Sequence, residues 1–194
     1  MKNIAAVDAF GQIIEGGLDI DTVHSNTSLQ CVNVHCWVLS SDGKSVLVQH
    51  RSPTMFCYPG LYDISLAGHI DAGESPNEAM LREAREEGMV NLRGKLFVPD
   101  GPVYVVEAGK YITGETFDHN QLVYMYFAIV DKQAVKARPN DDEVASFSWW
   151  DIDTFALRAA QPTSSMLVPH PEWYYRAVVK NLYELKKTHA TMSA

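Results

Sequence analysis

The strands of the chain are indicated by runs of apolar and β-branched residues. Two such runs, at 29–39 and 45–50, flank the turn "SSDGKS" and predict a hairpin. The later stretches "YPGLYDISLAGHI", "PVYVVEAG" and "NQLVYMYFAIV" are rich in Val, Ile, Tyr and Phe, which predicts further strands. Residues 1–30 alternate only weakly and contain several glycines, which favours a short hairpin or an N-terminal strand extension across the larger body.

Three segments have the periodicity and boundary residues of helices. They cover 76–88, about 151–160, and 172–187, the last entered through Pro171. Because strands and helices mix without regular βαβ alternation, the sequence predicts an α+β fold with a mixed sheet and helices on both faces. No repeat, low-complexity tract or linker divides the sequence, so residues 1–194 are predicted to form a single domain.

Composition excludes several classes of function. The 24 acidic and 16 basic residues give a formal charge of −8, which repels polyanions and argues against a nucleic-acid polymer as partner. An anionic substrate would therefore need a cation to mediate its binding. The three cysteines form no CxxC pair, so neither a disulfide framework nor a zinc site is indicated. The first residues lack the apolar core of a signal peptide, and no apolar run approaches the roughly 18 residues needed to span a membrane. We therefore expect a soluble, cytoplasmic protein without a membrane partner.

The segment "GHIDAGESPNEAMLREAREEGMV", residues 68–90, concentrates acidic residues. Ser75 followed by Glu78 is a capping-box pattern, and Pro76 occupies the first helical position, so a helix should begin at Ser75. At about 100° per residue, one face of this helix carries three carboxylates and an adjoining apolar stripe faces the sheet. The carboxylates belong to Glu83, Glu86 and Glu87, and the stripe to Met80, Leu81, Ala84 and Gly88.

Like charges three and four residues apart repel one another, and a bound divalent cation would convert that cost into affinity. Hard oxygen ligands suit magnesium or manganese. Gly68 and Gly73 bracket "HIDA" and allow backbone carbonyls to turn toward the helix. The alternative is an ordinary salt-bridged surface helix with the i,i+4 pairs Glu78–Arg82 and Arg82–Glu86.

The segment resembles the signature of the Nudix family, which is Gly, five residues, Glu, seven residues, then Arg-Glu-aliphatic-x-Glu-Glu-x-Gly-aliphatic. One position departs, because Met89 stands where the closing glycine is expected and Gly88 comes one step early. All charged residues of the signature are present at their expected positions. The matching residues are Gly68, Glu74, Arg82, Glu83, Ala84, Glu86, Glu87 and Val90.

The resemblance implies a Nudix-type α/β/α sandwich that uses Mg2+ or Mn2+. It implies that the Gly68 carbonyl and three carboxylates bind the metal, those of Glu83, Glu86 and Glu87. It also implies that Arg82 orients a carboxylate, and that Glu74 anchors the loop by pairing with Arg82. The stretch "DDEVASFSWWDID" is similar to the late strand of the family, in which a Glu-Val pair precedes a tryptophan and a short helix.

Nudix enzymes generally cleave a nucleoside diphosphate linked to another group, so the resemblance implies a small phosphorylated substrate. A carboxylate near the metal can take the proton of the attacking water, and Glu87 and Glu143 are both candidates for this base. The alternative for Glu143 is a solvated acid in a turn. Arg51 and His69 are candidates for substrate contact, with ordinary surface charge and local hydrogen bonding as their respective alternatives.

Within the family, "YPGLYDISLAGHIDAGES" is similar to the branch that includes isopentenyl-diphosphate isomerase. That enzyme uses a cysteine before the glycine-histidine pair and a glutamate on a later strand, but this chain has Ala67 and Gln121 there. We therefore expect diphosphate hydrolysis, with isomerisation as the alternative. A non-catalytic nucleotide-binding module is a third reading, which retention of the glutamates disfavours. The sequence does not decide the oligomeric state, and a homodimer formed through the first 30 residues or the last helix is one possibility.

Overall fold

The computed structural model describes residues 3–87, 92, 96–97, 101–136, 143–162 and 166–192. Within these ranges the strands are β1 (Ala6–Asp8), β2 (Leu29–Ser40), β3 (Ser45–Arg51), β4 (Tyr62–Asp63), β5 (Leu66–His69), β6 (Leu96–Phe97), β7 (Val103–Lys110), β8 (Thr116–Val130) and β9 (Val144–Asp151). The α-helices are α1 (Ile20–His24), α2 (Pro76–Glu86), α3 (Ile152–Ala159) and α4 (Glu172–Met192), with a 3-10 turn at Lys132–Ala134.

Two long strands form the centre of a mixed sheet. β2 and β8 run parallel, from the pair Cys31–Gln121 to the pair Ser40–Val130. The other edge of β2 pairs antiparallel with β3 through Leu39 and Val46, which confirms the predicted hairpin. The same strand also pairs antiparallel with β5, whose last residue is His69. This pairing brings the loop that leads into α2 to the central strand of the sheet.

Helices cover both faces of the sheet, as predicted. Successive side chains of a strand point to opposite faces, so Trp37 packs with residues of α3 and α4 such as Phe155 and Tyr174. Its neighbour Cys36 packs on the other face with α2 residues such as Met80. The molecule is therefore an α/β/α sandwich with a mixed sheet.

The predicted helices are confirmed, with revised ends and one addition. The helix expected over 76–88 ends at Glu86, and the last helix, expected over 172–187, continues to Met192. Residues 1–30 contain the short strand β1 and also α1, which the sequence analysis missed. Asp19 caps α1 by accepting a hydrogen bond from Thr22 N. The three cysteines are free thiols. No helix among the described residues is long and apolar enough to cross a membrane.

Candidate functional site

A capping box fixes the start of α2. Ser75 Oγ accepts a hydrogen bond from Glu78 N at 3.3 Å, and the Glu78 carboxylate accepts one from Ser75 N at 3.0 Å. The helix then ends with Glu86, and Glu87 is its C-cap. Carboxylates at the C-terminal end of a helix face the negative end of its dipole. This arrangement is unfavourable on its own and is improved by a cation.

Arg82 ties the loop to the helix. Its Nε and Nη2 donate to the carboxylate of Glu74 at 3.0 and 2.9 Å, and Nη2 also donates to the carbonyl of His69 at 2.8 Å. Its Nη1 donates to Glu83 Oε1 at 2.6 Å and to Glu86 Oε2 at 3.1 Å. The Arg82–Glu74 pair expected from the resemblance is therefore present. Of the two pairs expected for an ordinary surface helix, Arg82–Glu86 forms, whereas Glu78 bonds to Ser75.

Glu83 is the most constrained of the three carboxylates. A Cβ built on Gly68 would lie 2.1 Å from Glu83 Cδ and Oε1, so the glycine is what lets the carboxylate approach the loop backbone. Burial raises the pKa of Glu83 to about 7, and the neighbouring Arg82 only partly offsets this. A half-buried carboxylate is thus held against backbone beside other acidic groups.

The other two carboxylates extend the acidic face on either side. Glu86 is more exposed, whereas Glu87 accepts a hydrogen bond from Gln49 Nε2 of β3 at 3.2 Å. Together with the loop backbone at Gly68, these hard oxygen donors fit Mg2+ or Mn2+ in chemistry. The end of the sequence motif at Gly88, Met89 and Val90 lies outside the described residues.

A cavity of about 850 Å³ opens beside this loop. Among the described residues, Gly68, His69, Arg51 and Glu143 line it, whereas the three α2 glutamates do not. Four of the residues singled out from the sequence are therefore brought together in one cavity. Gly68 belongs to both regions, because Glu83 approaches it from the side of the helix.

Three of these residues have distinct environments. Arg51 is occupied by internal contacts, with Nη1 donating to Asp63 Oδ2 at 3.0 Å and Nε and Nη2 donating to the carbonyl of Cys57. Burial, together with the nearby histidines, lowers the pKa of His69 to about 4, so its imidazole is neutral near pH 7. Glu143 is exposed, and its carbonyl accepts a hydrogen bond from Ser52 N at 2.8 Å.

A buried charge network, which the sequence analysis missed, stands in the cavity wall. His170 Nε2 lies 3.0 Å from Asp63 Oδ1, and Nδ1 lies 2.8 Å from Glu107 Oε1. Burial alone would lower the pKa of His170, but the carboxylates of Glu107 and Asp63 outweigh it and raise the pKa to about 10. The histidine is therefore an imidazolium between two carboxylates. No local sequence signal joins these three residues, which come from distant segments.

A second group of side chains that the sequence analysis did not predict includes His69. The ligand atoms of His24, Cys31 and His69 lie within 4.8 Å of one another, a spacing that a transition-metal ion could bridge. Burial raises the pKa of the Cys31 thiol to about 12, so its sulfur would have to lose a proton to bind a metal. A search for CxxC spacing cannot find this group, because its members lie in α1, β2 and β5.

Ala67 and Gln121 both line the cavity. These are the positions at which the isomerase resemblance leads one to expect a cysteine and a glutamate. The structure brings them to one site, but they supply a methyl group and a carboxamide. Gln121 Oε1 accepts a hydrogen bond from Asn33 Nδ2 at 2.7 Å. Neither side chain can exchange a proton with carbon.

Comparison with known proteins decides the family. The profile of the NUDIX domain matches residues 29–170, which is most of the chain. The chain belongs to the Nudix family. Among related Nudix sequences, the isopentenyl-diphosphate Delta-isomerase of Leifsonia xyli is 32% identical over 139 residues, covering 70% of this chain and 70% of that protein. An uncharacterized Nudix hydrolase of Clostridium acetobutylicum is 42% identical over 55 residues, 27% of this chain and 26% of that protein.

The fold agrees with this assignment. The crystal structure of DR0079 from Deinococcus radiodurans superposes with a TM-score of 0.61 at 19% identity, covering 94% of this chain and 99% of that one. The Nudix resemblance, the similarity to the isomerase branch and the predicted sandwich fold are all confirmed.

Proposed function

We propose that this Nudix protein is a pyrophosphohydrolase that uses Mg2+ or Mn2+ to cleave a diphosphate bond. Its substrate would be a nucleoside diphosphate linked to another moiety, or a similar phosphorylated small molecule. The observation that carries the proposal is the organised acidic face of α2. Arg82 holds the carboxylates of Glu83 and Glu86 together, and Glu83 meets the loop backbone at Gly68.

Glu83, Glu86, Glu87 and the carbonyl of Gly68 would hold the metal. When bound, such an ion neutralises the diphosphate and lowers the pKa of the attacking water. Arg82 acts indirectly by fixing Glu83, with its Nη1 2.6 Å from Oε1. Glu74 in turn fixes Arg82 through two hydrogen bonds, which tie the loop to the helix.

Two carboxylates are candidates for the base that takes the proton of water. Glu87 lies at the end of α2 beside Gln49, and Glu143 lies at the cavity. His69, neutral near pH 7, can donate a hydrogen bond to a phosphate oxygen from the cavity side of the loop. Arg51 would contribute its charge to the cavity wall while bonded to Asp63 and Cys57.

Isomerisation of isopentenyl diphosphate is the second candidate, because a relative of similar length carries that name. Proton transfer at carbon needs an acid and a base on the substrate, and Ala67 and Gln121 supply neither. The third candidate is a Nudix module that binds a nucleotide without cleaving it. The three carboxylates of α2 disfavour it, since a site built only to bind an anion has no need of them.

The direct test is product release from a panel of nucleotide sugars, dinucleotides, nucleotides and isopentenyl diphosphate. Each reaction contains Mg2+ or Mn2+, with a chelator as control. Metal-dependent release of phosphate or nucleoside monophosphate is the expected result. Isomerised diphosphate without hydrolysis would favour the second candidate, and binding without any product would favour the third.

A further inference from the structure

The lining of the cavity includes two carboxamides that bond to each other. Asn33 of β2 and Gln121 of β8 are 8% and 6% exposed, and Asn33 Nδ2 donates to Gln121 Oε1 at 2.7 Å. This bond uses the nitrogen of Asn33 and the oxygen of Gln121. It therefore leaves the Oδ1 of Asn33 as an acceptor and the NH2 of Gln121 as a donor.

The remaining oxygen of Asn33 is buried and has no hydrogen-bond partner. A buried carbonyl oxygen without a donor costs folding free energy, so such a group is normally satisfied by a ligand, a water or another side chain. Rotating both amides by 180° exchanges their roles but leaves the same set, one NH2 and one C=O. In either orientation the pair offers a donor and an acceptor next to each other.

Aromatic rings form a wall of the same cavity. The ring centroids of Phe56 and Tyr111 are 4.2 Å apart, those of Tyr111 and Phe117 4.8 Å, and those of Phe117 and His119 4.6 Å. Tyr58 joins them edge-on to Phe117, and its φ of 49° is unusual for a residue with a side chain. Strained residues of this kind occur often in ligand sites. Aromatic side chains in a cavity lining favour a planar ligand that can pack against them.

The charges around the cavity argue for an uncharged ligand group. Arg51 is the single lysine or arginine among the described lining residues, and it is bonded to Asp63 and to the carbonyl of Cys57. The imidazolium of His170 also lines the cavity, but it is paired with Asp63 and Glu107. An entirely apolar chain would leave the two amides unsatisfied. A second anionic group would meet the acidic side chains of the lining, which are Asp21, Asp63, Glu107, Asp118 and Glu143.

We propose that this cavity binds the non-phosphate moiety of the substrate, and that Asn33 and Gln121 recognise a neutral planar ring with a hydrogen-bond donor next to an acceptor. A nucleobase with a lactam edge and an open aromatic carboxamide share this chemistry. A ring in the cavity would place its diphosphate toward Gly68 and the acidic helix. That the ring belongs to the substrate, and that its diphosphate lies toward Gly68, rests on the proposed hydrolase function, whereas recognition of the ring by Asn33 and Gln121 does not.

The test is calorimetric titration of the full chain in the presence of a chelator, so that neither metal nor turnover takes part. The probes are uridine and inosine, which carry a lactam edge, and nicotinamide, which carries an open carboxamide. Ribose and isopentenol are the controls without such an edge. Binding of at least one edge-bearing probe tenfold or more tighter than both controls is expected, and the probe that binds identifies the source of the edge.

Two variants test the assigned residues. Asn33→Leu combined with Gln121→Met should reduce that affinity at least tenfold, whereas Gln133→Met, on an exposed turn outside the cavity, should not change it. Gln121→Glu preserves size and the bond from Asn33 but removes the donor, so it should also weaken the lactam probes. It remains informative if the double variant does not fold.

Equal binding of the edge-bearing probes and both controls would overturn the proposal. Unchanged affinity for the preferred probe in Gln121→Glu would overturn it as well. Failure of the hydrolysis assay would leave this result standing, because the titration measures no product. Conversely, failure of the titration would leave the metal-dependent chemistry of α2 untouched.

Discussion

The carboxylate of Glu83 lies against the Cα of Gly68, so closely that a Cβ on the glycine would be 2.1 Å from Cδ and Oε1. On its other side, Glu83 Oε1 accepts a hydrogen bond from Arg82 Nη1 at 2.6 Å. The carboxylate is therefore held between the glycine and the arginine. This contact is the point at which the acidic helix and the loop of the cavity meet.

Gly68→Ala should displace Glu83 and weaken metal binding. The clashing atoms belong to the end of a flexible side chain, so the fold can accommodate the methyl group by moving Glu83. We expect roughly a 10–100-fold loss of apparent Mn2+ affinity, measured by titration of the free ion, with a modest loss of stability.

The matched control is Gly68→Ala combined with Glu83→Asp, which shortens the clashing side chain. It should recover the stability lost in Gly68→Ala while metal affinity stays low. If Gly68→Ala alone binds Mn2+ as tightly as wild type, Glu83 is not positioned by this contact and its assignment as a ligand is wrong.

Arg82→Lys should damage both stability and turnover. A lysine cannot reproduce a guanidinium fork that bonds Glu74, the carbonyl of His69 and Glu83 at once. We expect a loss of about 1–3 kcal/mol in the free energy of unfolding, measured with urea, and a turnover reduced roughly 10–100-fold. Arg85→Lys on the same helix is the control, because the Arg85 side chain is exposed and its Nε donates to the carbonyl of Leu81. Equal losses in the two variants would contradict a specific role for Arg82.

Local sequence signals account for what could be predicted of the site. The capping residues Ser75 and Glu78, with Pro76 between them, sufficed to place α2 and hence its acidic face. The Arg82–Glu74 pair followed from the family signature. α1 was missed because it is a short helix in a weakly patterned segment, with Val23 as its one buried residue.

Long-range contacts account for what could not be predicted. Asp63, Glu107 and His170 lie far apart in the sequence and meet only because β4, β7 and the segment before α4 converge at the cavity. The same holds for Arg51, whose pairing with Asp63 could not be anticipated from its place at the end of a strand. The Asn33–Gln121 bond depends on the parallel register of β2 and β8, which the sequence does not specify.

The His170 network should make stability depend on pH at both extremes. The pKa of His170 is about 10 against an ordinary value of 6.5, so its stabilising contribution is complete below pH 6.5 and is lost as the pH rises through 10. For Asp63, burial opposes ionisation, but the hydrogen bond and charge of His170 outweigh it and lower the pKa to about 2. Its contribution is complete above pH 3.8 and is lost as the pH falls through 2.

His170→Gln should therefore lower the free energy of unfolding by about 3–5 kcal/mol near neutral pH. The change removes the imidazolium from the buried carboxylate of Glu107 and leaves Asp63 with Arg51 as its cationic partner. Urea unfolding between pH 6.5 and 10 should show a decline for wild type that the variant lacks. His189→Gln, in the last turn of α4 outside the network, is the control and should show the same decline as wild type. Parallel curves for wild type and His170→Gln would mean that the histidine is neutral in the folded protein.

Glu143→Gln should reduce turnover unevenly across substrates, since Glu143 lies at the cavity and outside the acidic face of α2. The comparison is the ratio of kcat/KM for variant and wild type over the substrate panel. Glu115→Gln, an exposed acid in the turn between β7 and β8, provides the control. An unchanged rate for every substrate would assign Glu143 to a solvated turn without a role in catalysis.

Hydrolysis itself is tested most directly by running the reaction in 18O-labelled water and measuring the masses of the products by mass spectrometry. Attack by water predicts one 18O atom in a phosphate product for each bond cleaved, dependent on Mg2+ or Mn2+ and abolished by chelator. Glu87→Gln should lose nearly all of this incorporation while keeping the wild-type melting temperature. Unlabelled, isomerised diphosphate as the only product, or full incorporation by Glu87→Gln, would contradict the assignment of the α2 carboxylates to metal-dependent hydrolysis.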